Sequence, residues 1–220
     1  MKTNEKVNIG NLDIMYKDNS IILTTSEENE FERFKQSFEL LYREIVLSNF
    51  EYTIFKHLLK SKLKNEKYKI TKGYIIDALK NSFLIKLAKA LDNDSTKASI
   101  TIFYILNRLQ SDKTMNNKSD NLITFSENAL QYLNNNYQDI MNKIKTTRDK
   151  NIVHLDKKYY KGYKQLTPES YLIPHEINEI LNYLMGIMQE LNKLIFKSTI
   201  NVEAIKQDLD KELIELSQVL

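Results

Sequence analysis

Residues 146–157 read Thr146-Thr147-Arg148-Asp149-Lys150-Asn151-Ile152-Val153-His154-Leu155-Asp156-Lys157. This stretch holds one of the four arginines and one of the three histidines of the chain. Five residues separate the two, with an aspartate directly after the arginine and another two places after the histidine. Arginine stays cationic and histidine titrates near neutrality, so the pair suits acid–base chemistry on a phosphate. The interpretation of the chain therefore depends on whether this stretch is a catalytic motif or a basic turn.

The composition of the chain predicts long helices, because glycine (4) and proline (2), the residues that most often interrupt helices, are scarce. Thr25-Ser26-Glu27-Glu28 has the spacing of a capping box and predicts the start of the first helix. Apolar residues at three-to-four spacing predict the rest. The expected helices span about 26–49, with 52–63 as its continuation or as a separate segment, then 71–91, 97–109, 126–147, 174–195 and 202–219.

The apolar faces of these helices predict what is buried. In the third segment, one face carries Ile75, Ala78, Leu79, Phe83, Leu87 and Ala90. The helix over about 97–109 is apolar on more than one side, which is typical of a helix in the middle of a bundle. Asp92 and Asp94 follow the third segment and lack the glycine and glutamate of a calcium loop, so we expect them to be helix-capping residues.

The N-terminal residues show weak alternation rather than helical spacing. Residues 14–16 and 21–23 are apolar and flank the polar tetrapeptide Lys17-Asp18-Asn19-Ser20, which predicts a short hairpin or extended arm. The expected organisation is an all-α protein of about five to seven helices: an arm or hairpin over 1–25, a helical bundle over 26–200, and a C-terminal helix over 201–220 packed on the bundle or on a partner.

Composition excludes several classes of function. The chain of 220 residues has no cysteine, which excludes disulfides, cysteine zinc sites and cysteine nucleophiles. It has no apolar run of the roughly 18 residues that a membrane span needs, and its first residues lack a signal-peptide core. We expect a cytoplasmic protein with no cofactor, no metal site and no membrane partner.

Charge is concentrated around the motif. Residues 142–164 hold eight basic and two acidic residues, a net +6 in a chain whose total is +3. Aromatic rings among cations suit an unpaired RNA base. The candidate RNA-binding residues are Lys150, Lys157, Lys158, Tyr159 and Tyr160, and the alternative is a solvated basic loop.

The motif resembles the signature of the HEPN superfamily, and Arg148-Asp149-Lys150 followed by His154-x-Asp156 is most similar to its abortive-infection branch. The resemblance implies a helical bundle and a metal-independent endoribonuclease that acts as a homodimer. It implies Arg148 and His154 as catalytic residues, and we expect Asp149 and Asp156 to support them. The sequence departs from the family pattern at Val153, where a small residue usually precedes the histidine. One toxin–antitoxin branch has a tyrosine at the position of Asp156, and modification of that tyrosine regulates the protein. Because the chain has Asp156 there, we do not expect this regulation.

Helix geometry adds a condition. In an unbroken helix six residues turn about 600°, which leaves Arg148 and His154 roughly 120° apart. Either the motif bends within one chain, or two chains pool their residues at a two-fold axis.

Three functions are consistent with the sequence. The first is a dimeric endoribonuclease of abortive-infection or toxin type that cleaves RNA by attack of its 2′-hydroxyl. The second is a catalytically inactive HEPN-like module that binds RNA or a nucleotide, or pairs with an antitoxin or another defence protein. The third is a plain helical interaction module with a coincidental motif.

Overall fold

A computed structural model describes residues 6–9, 12–17, 20–61, 68–93, 99–111, 120–149, 172–196 and Lys211, with side chains from Glu30 onward. Three strands begin the chain: β1 (Lys6–Ile9), β2 (Leu12–Lys17) and β3 (Ser20–Thr25). They form an antiparallel sheet in the order β1-β2-β3, with Ile14 opposite Leu23 and Tyr16 opposite Ile21. The expected hairpin is therefore present as β2 and β3, and β1 extends it by one strand.

Two long antiparallel helices form the first layer of the bundle, α1 (Ser26–Lys60) and α2 (Lys69–Ala90). α1 starts directly after Thr25, as the capping pattern predicts, and continues without a break through Ser48 and Asn49. Both of these polar residues are buried. The Ser48 hydroxyl donates to the Phe83 carbonyl oxygen of α2 at 3.1 Å, which satisfies it at the helix–helix contact.

The remaining described helices are α3 (Ile102–Ser111), α4 (Asp120–Asn136), α5 (Gln138–Thr147) and α6 (Pro174–Phe196). α3 is the central helix that its composition predicts, since Ile102, Ile105, Leu106 and Leu109 have no exposed surface. α6 begins at Pro174, as expected, and its apolar stripe from Ile177 to Leu191 is buried. The expected C-terminal helix over 201–220 lies outside the described residues except for Lys211.

The helix expected over 126–147 is wrong in two respects. The helix starts earlier, at Asp120. Ser126 therefore lies inside it, and its buried hydroxyl donates to the Leu122 carbonyl oxygen one turn before it. It is also divided at Tyr137, whose backbone leaves the helical region (φ −117°, ψ 4°). The Tyr137 ring packs against those of Tyr132 and Tyr183, with centroids 5.8 and 5.2 Å away, and those two rings also contact each other at 4.9 Å. α5 is therefore a separate helix of ten residues that ends at the motif.

The core lies between the α1–α2 pair and the other helices, and it confirms the all-α bundle. The Tyr52 hydroxyl donates to the Pro174 carbonyl oxygen at 2.6 Å and fixes the start of α6 on α1. One part of the expected core is wrong, because Ile75 and Ala78 of α2 are exposed, whereas Phe83, Leu87 and Ala90 of the same predicted face are buried. Across the described helices, none is long and apolar enough to cross a membrane.

Candidate functional site

Arg148 lies at the C-terminal end of α5. Its backbone is still helical (φ −58°, ψ −54°), and its N–H donates to the carbonyl oxygens of Ile144 and Lys145. Residues 148 and 149 then form a wider, π-type turn rather than a further α-helical turn. The regular α-helix therefore ends at Thr147, within the motif, and His154 lies outside the described residues.

The Arg148 side chain lies between two carboxylates. Its Nε donates to Asp149 Oδ1 at 2.7 Å, and its Nη1 lies 3.9 Å from Asp92 Oδ2. The side chains of Arg148 and Asp92 are only 17 % and 9 % exposed. A guanidinium that is largely removed from water needs charged partners, because a buried charge without a partner is costly. The two carboxylates therefore hold the guanidinium in one orientation. Two elements, the end of α2 and the end of α5, therefore determine where Arg148 points.

Asp92 is the residue that sequence reasoning missed. Its position after a predicted helix indicates a helix-capping residue, and nothing in the local sequence relates it to Arg148. The fold does relate them, because the last turn of α2 packs against α5.

A small cleft lies beside Arg148, between the end of α2 and α5. Its free volume is about 50 Å³, and its polar lining residues are Asp92, Asn93, Gln138, Asn142, Lys145 and Arg148. Lys145 and Arg148 are the cations of this lining and Asp92 is its anion. With Asp149, which is bonded to Arg148, the charges at this point balance. The cleft can therefore admit a polar group beside Arg148.

A second ion pair connects α5 to α6 one turn before the motif. Lys143 Nζ donates to Glu176 Oε1 at 2.6 Å, and Asp139 Oδ2 lies 2.9 Å from the same nitrogen. Hydrogen bonds to Glu176 and Asp139 raise the pKa of Lys143. Glu176 Oε2 also accepts a hydrogen bond from the Ile173 N–H at 2.9 Å. We call this arrangement of Lys143, Glu176 and Ile173 the α5–α6 link, and it joins the helices on either side of residues 150–171.

Of the predicted site residues, Arg148 and Asp149 are described and are in contact. The others, Lys150, His154, Asp156, Lys157, Lys158, Tyr159 and Tyr160, lie outside the described residues. Within the described ranges no cluster of three or more acidic residues and histidines is arranged to hold a metal ion. His175 is exposed at the start of α6.

Comparison with known proteins identifies the family. Neither the curated proteins nor the solved structures include a match to the chain. A protein-family model, AbiU2 of the HEPN domains, matches residues 31–215, which include every helix described above except the first turn of α1. The matched span contains Arg148, Asp149, His154 and Asp92. The chain therefore belongs to the AbiU2 family of HEPN domains, which is the abortive-infection type.

Proposed function

We propose that the chain is a metal-independent endoribonuclease of the abortive-infection type that acts as a dimer. The ribose 2′-hydroxyl attacks its own phosphate, the 5′-oxygen leaves, and the products carry 2′,3′-cyclic phosphate and 5′-hydroxyl ends. His154 moves the proton as acid or base, and Arg148 stabilises the additional negative charge of the phosphorane. Asp149 and Asp156 orient these two groups, and no cofactor takes part.

The position of Arg148 carries this proposal. An arginine that is 17 % exposed and bonded to a carboxylate at 2.7 Å has a fixed guanidinium, and fixed donors stabilise a transition state without reorganising. Asp92 contributes to this orientation from a different helix. Asp92 is a positioning residue in this proposal, because it acts on the reaction through Arg148.

RNA binding needs charge from beyond the cleft. The cleft beside Arg148 is electrically balanced, and Lys143 is engaged by Glu176 and Asp139. The attraction for phosphates therefore comes from Lys150, Lys157 and Lys158, and the rings of Tyr159 and Tyr160 stack on unpaired bases. On this basis the enzyme acts on single-stranded RNA.

The second candidate is an inactive HEPN-like module that binds RNA or pairs with an antitoxin or another defence protein. One observation favours it. Val153 puts a branched side chain directly before His154 in the sequence. In this case Arg148 stabilises the bundle through Asp92 and Asp149 and performs no chemistry.

Cleavage of cellular RNA in EDTA separates the two functions. The parent protein is compared with His154→Ala purified in the same way, and with His175→Ala as a matched control on an exposed histidine. Cleavage by the parent and by His175→Ala, with cyclic phosphate ends and none by His154→Ala, supports the ribonuclease. RNA binding without cleavage in all three supports the inactive module, and the absence of RNA binding even at low salt refutes both RNA functions and leaves the pairing with another protein.

A further inference from the structure

Three amide side chains border the cleft beside Arg148. They are Asn93, which follows α2, and Gln138 and Asn142 on α5, and all three are exposed. Gln138 Nε2 donates to Asn142 Oδ1 at 3.4 Å. This bond turns the Asn142 carbonyl oxygen towards Gln138, and the oxygen keeps a second lone pair while Nδ2 keeps its two hydrogens. The Asn142 amide can therefore both donate and accept a hydrogen bond at the mouth of the cleft.

The floor of the same cleft is apolar. Ala88, Leu91 and Met141 line it and are buried, whereas the amides at its rim are exposed. An apolar floor with a few convergent polar groups is the usual composition of a site that recognises a small organic group. A methionine sulfur also makes favourable contacts with aromatic rings. The cleft therefore suits the polar edge of a flat ring that packs on Leu91 and Met141.

The amides lie on the same side of α5 as Arg148. At 100° per residue, Gln138, Asn142, Lys145 and Arg148 fall within an arc of about 120°. Asn142 precedes Arg148 by six residues, or about 9 Å along the helix. This spacing is similar to the distance from a phosphate to the edge of the base in the same nucleotide. A phosphate at Arg148 can therefore place an adjoining base at Asn142, with Lys145 beside the phosphate.

An amide distinguishes bases by the order of donors and acceptors on their edges. Adenine presents an amino group beside a ring nitrogen, which is the pair that an asparagine binds with two hydrogen bonds. Guanine presents two acceptors, N7 and O6, on its corresponding edge, and the Asp92 carboxylate in the same cleft disfavours a further acceptor. Cytosine has the amino–nitrogen pair on one edge, whereas unpaired adenine has it on two and covers more of the floor. Adenine is therefore the base that fits the cleft best.

We infer that the cleft recognises an adenine next to the RNA phosphate at Arg148, with the Asn142 amide bonded to the N6 amino group and the neighbouring ring nitrogen. Gln138 orients Asn142, and Leu91 and Met141 pack against the ring. The inference deepens the proposed function and rests on it for the phosphate at Arg148. Asn142 is in this case a specificity-determining residue, which selects the place of cleavage while Arg148 and His154 perform the reaction.

Binding of short RNA probes tests the base preference without requiring cleavage. The protein is His154→Ala, which does not cut the probe, and the labelled probes are UUAUU, UUCUU, UUGUU and UUUUU. We expect UUAUU to bind about tenfold more tightly than the other three, within the range of one amide–base contact. Purine riboside in place of the adenosine lacks the amino group and should lose this advantage. Adding Asn142→Ala should remove the preference, whereas adding Asn134→Ala, on an exposed asparagine of α4 outside the cleft, should not.

Three results of the probe measurement would each overturn the inference: equal binding of the four probes, tighter binding of a different base, and an adenine preference that survives Asn142→Ala. If none of the probes binds even at low salt, the inference is overturned together with both RNA functions.

The ends that the parent protein leaves in cellular RNA in EDTA provide the second measurement. Adenine should be enriched at one position beside the cut, and Asn142→Ala should spread the cuts over other bases. Cleavage by the parent without any enrichment of adenine would overturn the inference and leave the ribonuclease intact. Adenine preference in probe binding with no cleavage would instead refute the ribonuclease and assign the base contact to the inactive RNA-binding module.

Discussion

Arg148, at the end of α5, lies 3.9 Å from Asp92, at the end of α2. The two residues are 56 positions apart in the chain and meet only because α5 packs across the last turn of α2. Each is largely removed from water, so removing one of the two charges would leave the other buried without this partner.

Asp92→Asn keeps the size of the side chain but removes its charge, and it tests the positioning role. We expect kcat for RNA cleavage to fall about tenfold with KM little changed, because an interaction that aligns a transition-state donor acts on kcat. Unfolding free energy should fall by about 1–2 kcal/mol, since Arg148 retains Asp149. Asp77→Asn, whose carboxylate is 69 % exposed and paired with a lysine, is the control. Loss of stability with unchanged kcat would show that Asp92 is only structural.

Arg148→Lys tests whether the planar guanidinium matters beyond its charge. A lysine cannot reproduce the Nε bond to Asp149 while directing further donors at a phosphate. We expect cleavage to fall about 100-fold, in the range observed when one transition-state donor is removed. Arg108→Lys is the matched control, because Arg108 donates to the Tyr104 hydroxyl on α3. Equal cleavage rates for the parent and Arg148→Lys would contradict the assigned role.

Lys157→Ala combined with Lys158→Ala tests the source of RNA affinity. If each lysine contacts one phosphate of single-stranded RNA, the slope of log K against log salt concentration should become shallower by about 0.7 per contact, or about 1.4 in total. The measurement is a titration of labelled RNA at several salt concentrations. Lys193→Ala, on a lysine of α6 paired with Glu190, should leave the slope as it is. An unchanged slope in the double variant would exclude these lysines from the RNA contact.

A buried tyrosine, Tyr52, and a half-buried one, Tyr183, predict loss of stability at high pH. Burial raises the pKa of Tyr52 to about 12, and burial with the neighbouring Tyr132 and Tyr137 raises that of Tyr183 to about 12. The unfolded chain ionises its tyrosines near pH 10, so this stability is complete below pH 10 and is lost as the pH rises towards 12. For Tyr52 the difference amounts to about 2–3 kcal/mol at pH 12.

Tyr52→Phe should therefore weaken the dependence of unfolding free energy on pH between 10 and 12. At neutral pH it should cost about 1 kcal/mol, because the hydrogen bond to the Pro174 carbonyl oxygen is lost. Urea unfolding at neutral pH measures the cost of the lost hydrogen bond, and urea unfolding between pH 10 and 12 measures the change in pH dependence. Tyr74→Phe, on a tyrosine that is 74 % exposed, is the control. If both variants show the same pH dependence as the parent, Tyr52 does not contribute to alkaline unfolding.

Local sequence was sufficient to predict the start of α1, the position of α3 in the core and the start of α6, because capping residues and apolar spacing act over a few positions. It left open whether α1 breaks near Ser48, since the answer depends on the Phe83 carbonyl oxygen of α2. It missed the division at Tyr137, which follows from packing against Tyr183 of α6.

The same limit applies to the site. Arg148 and Asp149 are adjacent in the motif, so the sequence alone was enough to predict their association. Asp92 comes from another helix, and only the packing of α2 against α5 brings it there. Periodicity likewise placed Ile75 and Ala78 on a buried face, whereas they are exposed, because a pattern of apolar residues does not show where along a helix its neighbours stop covering it.

The α5–α6 link has a consequence for the entropy of the junction between the two helices. Glu176 joins Lys143 of α5 to the Ile173 N–H at the start of α6. Ordering a glutamate side chain costs its rotamer freedom once, whether the carboxylate makes one contact or two. Glu176 therefore holds the last turns of α5 and the start of α6 together at the entropic cost of one ordered side chain.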